Sequence, residues 1–366
     1  MTKNLWHKTT SLILKSGTLP MTPNEIIIEI IKEYLTEEQA EFLLNFKPRK
    51  HYTFEQLKSI TELEEEILRE KLDDCMKDGI IMHIVNKITG VIEYFVAPYV
   101  PGFIEFMFIK NELGEKEVKI AKLNKKLEEK TIKVIQKNYE KMVPMLSNLP
   151  LLGRTVPVEE LIDPGEEVVL PLQEISKILE KTDNIGVGNC FCRHQKATIG
   201  DPCKKTDLMK NCLWLGDTAK FLISQNFIEP VSKEEALKII KDSEDAGLVH
   251  KAYHFDLDLE QEIATLCNCC DDCCGSIGGM RKGALPLKDL TSHMAKMTED
   301  ECVGCGTCVD KCLVKAIELV DDIANVNEDK CMGCGQCAHH CPTGAMKLIK
   351  TELREVLIPP AKLKNF

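Results

Sequence analysis

The sequence predicts an α+β chain. It should comprise a helical, winged-helix-like N-terminal half, a Cys-rich domain, and a compact C-terminal domain built on an internal repeat. Three observations predict this. Apolar residues at helical spacing fill most of the first 142 residues and are interrupted by one pair of alternating segments. Prolines at 144, 150, 157, 164 and 171 then mark an extended connector. Of eighteen cysteines, only Cys75 precedes residue 190. A chain of 366 residues is long enough for two or three cores. The expected divisions are a head at 1–110, a connector at 111–180, a Cys-rich domain at 181–292, the repeat domain at 293–350 and a tail at 351–366.

In the head, Thr22 as N-cap, Pro23 in the first turn and Glu25 predict a helix carrying Ile26, Ile27, Ile30 and Ile31. Thr36 with Gln39 predicts a second, ahead of Phe42, Leu43 and Leu44. Residues 52–97 read as a winged helix-turn-helix: helices over Phe54–Ile60 and Glu62–Lys77, Gly79 as the stop, and strands over Ile80–Val85 and Val91–Val96. Such a fold often places its second helix in the DNA major groove. Here that helix carries Glu62, Glu64, Glu65, Glu66, Glu70, Asp73 and Asp74, which phosphates would repel, so a protein-contact module is expected. Cys75 falls at an apolar position of the same helix and reads as a buried thiol.

Residues 115–142 alternate Lys and Glu with Ile120, Leu123, Leu127, Ile132, Val134 and Ile135, the pattern of one long amphipathic helix or two broken ones. Ser232 with Glu235 caps a later helix that should end at Gly247. The net charge of −11 disfavours a general nucleic-acid binder and suits a partner with a basic face. Leu12-Ile13-Leu14 is too short for a signal h-region. The apolar stretch from Phe95 to Ile109 is broken by Pro98, Pro101 and Glu105, so no membrane insertion is expected. So many cysteines outside a disulfide scaffold point to a reducing, cytoplasmic setting.

The repeat is the most specific signal. Cys302-x2-Cys305-x2-Cys308-x3-Cys312 recurs as Cys331-x2-Cys334-x2-Cys337-x3-Cys341-Pro342 at a fixed offset of 29 residues. The offset also maps Gly304, Gly306, Ala316 and Leu319 onto Gly333, Gly335, Ala345 and Leu348. Residues 298–350 thereby resemble the bacterial eight-iron ferredoxins, in which the fourth Cys of each run ligates the other cluster. Two [4Fe–4S] clusters are expected, one on Cys302, Cys305, Cys308 and Cys341, the other on Cys331, Cys334, Cys337 and Cys312. Glycines between the ligands permit close backbone approach and positive φ. Leu313 stands where the family has Pro, which loosens a turn but removes no ligand. Structural zinc is the alternative, but zinc ribbons pair two C-x2-C knuckles and lack the third Cys of each run. The resemblance implies one-electron transfer at low potential.

Nine further cysteines lie upstream. Cys190, Cys192, Cys203 and Cys212 could complete one cubane; Cys267, Cys269, Cys270, Cys273 and Cys274 offer five thiols within eight residues. Cys269 and Cys270 should project in different directions, so that one group can reach across to complete the other's site. One or two additional iron–sulfur clusters are expected here, with zinc the alternative because His250 and His254 lie near. Arg193 and His194 are candidates to donate hydrogen bonds to cluster sulfurs, against a surface Arg and a satisfied His. His339 and His340 read as packing residues beside a filled Cys set. The Cys273-Cys274-Gly275 run resembles the CCG motif of heterodisulfide reductases, without that domain's other cysteines. Residues 180–350 together resemble a group of multi-cluster iron–sulfur proteins of anaerobes.

No P-loop, dinucleotide fingerprint or Ser-His-Asp order is present. The expectation is an electron-transfer protein, a subunit or redox partner of a larger anaerobic oxidoreductase. The alternatives are a catalytic non-cubane, disulfide-reductase-like cluster upstream, and a redox-sensing winged-helix regulator. No nucleic-acid partner is expected.

Overall fold

The computed structural model describes residues 2–148, 151, 153–162, 174–254 and 263–364. Pro150, Pro164 and Pro171 of the expected connector lie outside these residues. The chain forms two compact units, each assembled from separate stretches: residues 1–130, 188–202 and 217–230 in the first, and 131–187, 203–216 and 231–366 in the second.

The first unit is mainly helical. Helix Glu25–Tyr34 buries the isoleucine face, but its cap is Asn24, not Thr22: Asn24 Oδ1 accepts the amides of Ile26 (3.0 Å) and Ile27 (3.1 Å), and Pro23 precedes the helix. Asn caps better than Thr, and here it satisfies two orphan amides at once. Thr36 and Gln39 form the expected capping box of helix Glu37–Leu43. Helices Phe54–Thr61 and Glu65–Lys77 follow; Glu62 in the left-handed region (φ 54) ends the first, so the second starts later than its charge pattern suggested. Strands Ile81–Val85 and Ile92–Val96 pair antiparallel, with Tyr52–Thr53 added on the far side of the latter. Gly79 turns the chain at φ +69, and a Cβ there would meet the rings of Phe106 and Phe227 at 3.0 Å. Cys75 is buried, and burial pushes its thiol to about 12.

The apolar stretch before residue 110 becomes helix Ile104–Ile109, buried throughout. Among the described residues no helix is long and apolar enough to cross a membrane. The amphipathic segment forms helices Glu115–Lys137 and Tyr139–Leu146, separated at Asn138. Pro144, expected in the connector, sits inside the second; in so short a helix it forgoes one amide bond only.

The second unit is organised by a sheet with strands in the order Gly153–Val156, Val249–Tyr253, Thr265–Cys269, Cys212–Leu215, Ile185–Gly188. One face is apolar: Val156, Ala252, Leu266 and Leu213 pack with Ile178 of helix Ile175–Glu180 and with Ala236 and Ile240 of helix Lys233–Asp245. The Ser232–Glu235 capping box opens that last helix, and Gly247 (φ +77) follows it. The other face carries Val249 and Cys269 into a second core shared with Cys308, Cys331, Cys337, Met332 and Val356. A long antiparallel pair, Leu287–Met297 with Met346–Ile358, frames that core. These strands run across the divisions expected near residues 292 and 350, so the repeat domain reaches further in both directions than its cysteines.

Candidate metal centres

Each cysteine run wraps into a loop followed by a short helix, Thr307–Lys311 in one and Gln336–His339 in the other. Gly306 (φ 76) and Gly335 (φ 82) occupy the N-cap positions in left-handed conformation, which turns the loop sharply enough to bring three sulfurs together. The fourth cysteine follows the helix. The result is two cavities of about 340 and 360 Å³, their open mouths included. Cys302, Cys305, Cys308 and Cys341 line the first, with Met297, Leu319, Ala324 and Met346 as its apolar wall. Cys312, Cys331, Cys334 and Cys337 line the second, with Leu313, Val314, Ile317 and Met332. Each cavity thus takes three cysteines from one run and the last from the other. Four thiols around a compact apolar cavity are the donor set of a cubane cluster.

Backbone amides point at the sulfurs. Ala316 N–H donates to Cys312 Sγ (3.1 Å), Met346 to Cys341 Sγ (3.4 Å) and Ala295 to Cys331 Sγ (3.4 Å). Such bonds stabilise thiolate and raise a cluster's potential. Burial pushes Cys334 to about 12 and raises Cys312 and Cys337, so loading iron there displaces protons. Cys305, fully exposed, is held below the ordinary thiol range by the Thr307 hydroxyl and amide. The two sites therefore differ: the first includes the exposed Cys305, next to a Val303 that is 67 % exposed, whereas no thiol of the second is exposed.

The glycines inside the loops answer to their neighbours. A Cβ on Gly333 (φ +66) would lie 2.2 Å from His293 O and 2.5 Å from Thr291 Oγ1, at the bulge of strand Leu287–Met297. A Cβ on Gly304 would lie 2.5 Å from Asp322 O, in the two-residue turn between strands Ile317–Val320 and Ile323–Val326. Arg354 clamps the same region, donating to the carbonyls of Cys331, Glu328 (3.1 Å) and His293 (3.4 Å). Nothing in the sequence pattern marked Arg354, because the His293 carbonyl it bonds is 61 residues away.

Residues 301–345 match the family model described as a 4Fe-4S dicluster domain. The C-terminal region is a ferredoxin-like iron–sulfur domain. No curated protein and no solved structure matched the chain.

The upstream cysteines fall into three sets, which differ from their grouping along the sequence. Cys190 and Cys192 belong to the first unit, at the start of helix Phe191–Thr198. Asn189 anchors this turn through Ile109 O (3.0 Å) and Lys110 O (2.7 Å), and His194 Nδ1 donates to Phe108 O at 2.8 Å. Arg193 is 1 % exposed, not a surface residue. Cys203, Cys270 and Cys273 come together in the second unit, all three sulfurs lying within 4.8 Å of one another.

The third set follows from strand register. Thr155 pairs with Lys251 and Lys251 with Cys267, while Leu213 opposite Leu266 brings Cys212 beside Cys267 one step on. The Thr265 hydroxyl lies 3.8 Å from Cys212 Sγ and 3.9 Å from Cys267 Sγ. Contacts with Cys267 and Cys274 raise the Cys269 thiol well above its ordinary value. Lys251, buried at 2 % exposure, pairs with Asp289 at 3.1 Å, and Thr155 donates to the same carboxylate at 2.7 Å. Burial disfavours the Lys251 charge, yet Asp289 and the thiols of Cys269 and Cys274 hold its proton more tightly than usual. The sequence reading missed both Lys251 and Asp289; strand alternation around Cys267 was the available signal.

His250, His339 and His340 are engaged elsewhere. His250 bridges Asn268 (2.6 Å) and Glu244 (3.3 Å), His339 bridges Glu160 (2.6 Å) and Asp245 (3.2 Å), and His340 meets Glu244 O at 3.3 Å.

Proposed function

We propose that this protein transfers single electrons through two [4Fe–4S] clusters in its C-terminal domain and through a further cluster held by Cys212, Cys267, Cys269 and Cys274. The observation that carries this reading is the composition of the two cavities, each lined by four cysteines drawn three-and-one from the two runs. Bound there, the clusters supply reversible one-electron redox chemistry. The chain's own residues hold them with thiolates, tune them with amides, and keep water out with Met332, Ile317 and Leu313. A further cluster at the third set is supported by the core that Cys269 and Cys274 share with Cys308, Cys331 and Cys337.

The exposed Cys305 loop is the exchange surface in this reading, and a partner oxidoreductase docks there. The helices and hairpin of residues 54–96 act as a winged-helix-like contact module. Glu64, Glu65, Glu66, Glu70, Asp73 and Asp74 are all exposed on helix Glu65–Lys77 and the turn before it, which favours a basic protein surface over DNA.

The test is an anaerobic preparation of the full chain, analysed for iron and sulfide and titrated by EPR-monitored reduction. It should carry electrons from a reduced viologen to a one-electron acceptor such as cytochrome c, and Cys334→Ser should cost about four irons per chain. Purified protein without iron, or partner-free turnover of an organic disulfide, would overturn it.

A further inference from the structure

The cysteines outside the proposed relay include one set whose geometry differs from all the others. Cys203, Cys270 and Cys273 hold their sulfurs within 4.8 Å of one another, and Cys203 Sγ lies 3.8 Å from Cys270 Sγ. Among the described residues no other group of three Cys, His, Asp or Glu ligand atoms is that tight, the two ferredoxin quartets included. The distance discriminates. A cubane sets each thiolate on a separate iron, which spreads the sulfurs beyond the spacing around a single ion. Around one tetrahedral zinc with Zn–S bonds of about 2.3 Å, sulfurs stand about 3.8 Å apart.

The trio is also a built site. Cys270-Asp271-Asp272-Cys273 is a C-x2-C turn in which the Cys273 amide donates to Cys270 Sγ at 3.2 Å. Both residues inside that turn grip the loop bearing Cys203. Asp272 Oδ2 accepts the Lys204 amide at 2.9 Å, and Asp271 pairs with Lys205 at 3.2 Å. The neighbours of the third ligand are thereby tied to the neighbours of the first two, the supporting arrangement a preorganised metal site needs.

We infer that Cys203, Cys270 and Cys273 bind one zinc ion through three thiolates, separately from the iron–sulfur relay. Binding displaces the thiol protons. No fourth protein ligand atom joins the trio within that distance among the described residues, so a solvent oxygen takes the remaining corner.

The experiment is metal analysis and zinc-edge X-ray absorption on the full chain, purified anaerobically, alongside Cys203→Ser and, as a control in the other unit, Cys75→Ser. The expected result is about one zinc per chain with three sulfur neighbours at about 2.3 Å and one oxygen. Cys203→Ser should lose the zinc and keep its iron, whereas Cys75→Ser keeps both. Wild-type protein without zinc, zinc retained by Cys203→Ser, or about four irons lost from that variant would overturn the inference. Absorption from the wild type alone decides it should the variant fail to fold, since four sulfurs or none contradict the three-thiolate site. Iron content and the EPR of the C-terminal clusters are read from the same samples, so failure of the zinc site is distinguishable from failure of the electron-transfer reading.

Discussion

Gly333 and Gly306 make a matched pair for testing how the cluster loops are held. Both sit at positive φ, +66 and +76, so alanine at either incurs the left-handed penalty of about 1–2 kcal/mol. The surroundings differ. At Gly306 the nearest atom to a new Cβ is Leu319 Cδ1 at 3.8 Å, an ordinary contact. At Gly333 it is His293 O at 2.2 Å, a backbone atom fixed at the bulge and held there by Arg354. Relief requires moving either the strand or the loop by close to an ångström, and the loop carries Cys331 and Cys334. Gly306→Ala should therefore lower Tm by about 2–8 °C, at about 2–4 °C per kcal/mol, and keep its iron. Gly333→Ala should fail to hold the Cys312–Cys331–Cys334–Cys337 cluster and lose about four irons per chain. Iron assay, sulfide assay and thermal melts under argon measure both. Equal iron and equal Tm in the two variants would refute the claim that contact with the strand, and not backbone conformation alone, requires glycine at 333.

Lys315 occupies the repeat position of Gly344 and shares its left-handed conformation, φ 54 against 71, so Lys315→Gly should stabilise by about 0.5–1 kcal/mol in a chemical melt. Arg354→Ala removes donors to three carbonyls around Cys331 and should cost about 2–4 kcal/mol, with Arg354→Lys failing to restore it because an ammonium cannot span the fork; iron retention during a denaturant titration is the readout. Burial raises the Glu105 carboxyl to about 8 even though it accepts the Gly102 amide at 2.8 Å. The folded chain then binds more protons than the unfolded one between pH 4.5 and about 8, so stability present below that window is lost across it, at up to about 1.4 kcal/mol per pH unit. Glu105→Gln should flatten this slope in melts at a series of pH values.

Local chemistry made much of this fold legible. The capping boxes at Thr36 and Ser232, the two strands before residue 97 and the duplicated cysteine run all depend on residues a few positions apart. The reading failed wherever distant segments decide. Grouping Cys203 with Cys190, Cys192 and Cys212 followed nearness in sequence, but Cys203 is set by a loop tied to Asp271 and Asp272, and Cys212 by its strand partner. Thr22 and Asn24 are both capping residue types two positions apart, and Asn24 is the one whose side chain accepts two amides of the helix. Arg354, Lys251 and Asp289 lie on strands whose partners no periodicity could name.

One local inference did carry across the structure. Successive strand residues face opposite ways, so Cys269 and Cys270 had to diverge. Strand Thr265–Cys269 turns Leu266 into the helix-covered core and Cys267 and Cys269 toward the ferredoxin-like loops. Cys270, beyond the strand end, turns instead to Cys203 and Cys273. A single residue step thus separates thiols that share a core with the ferredoxin-like domain from thiols spaced for one metal ion. On the face that carries Cys267, Lys251 is buried against Asp289 at 3.1 Å, and that carboxylate offsets the cost of keeping the lysine charged.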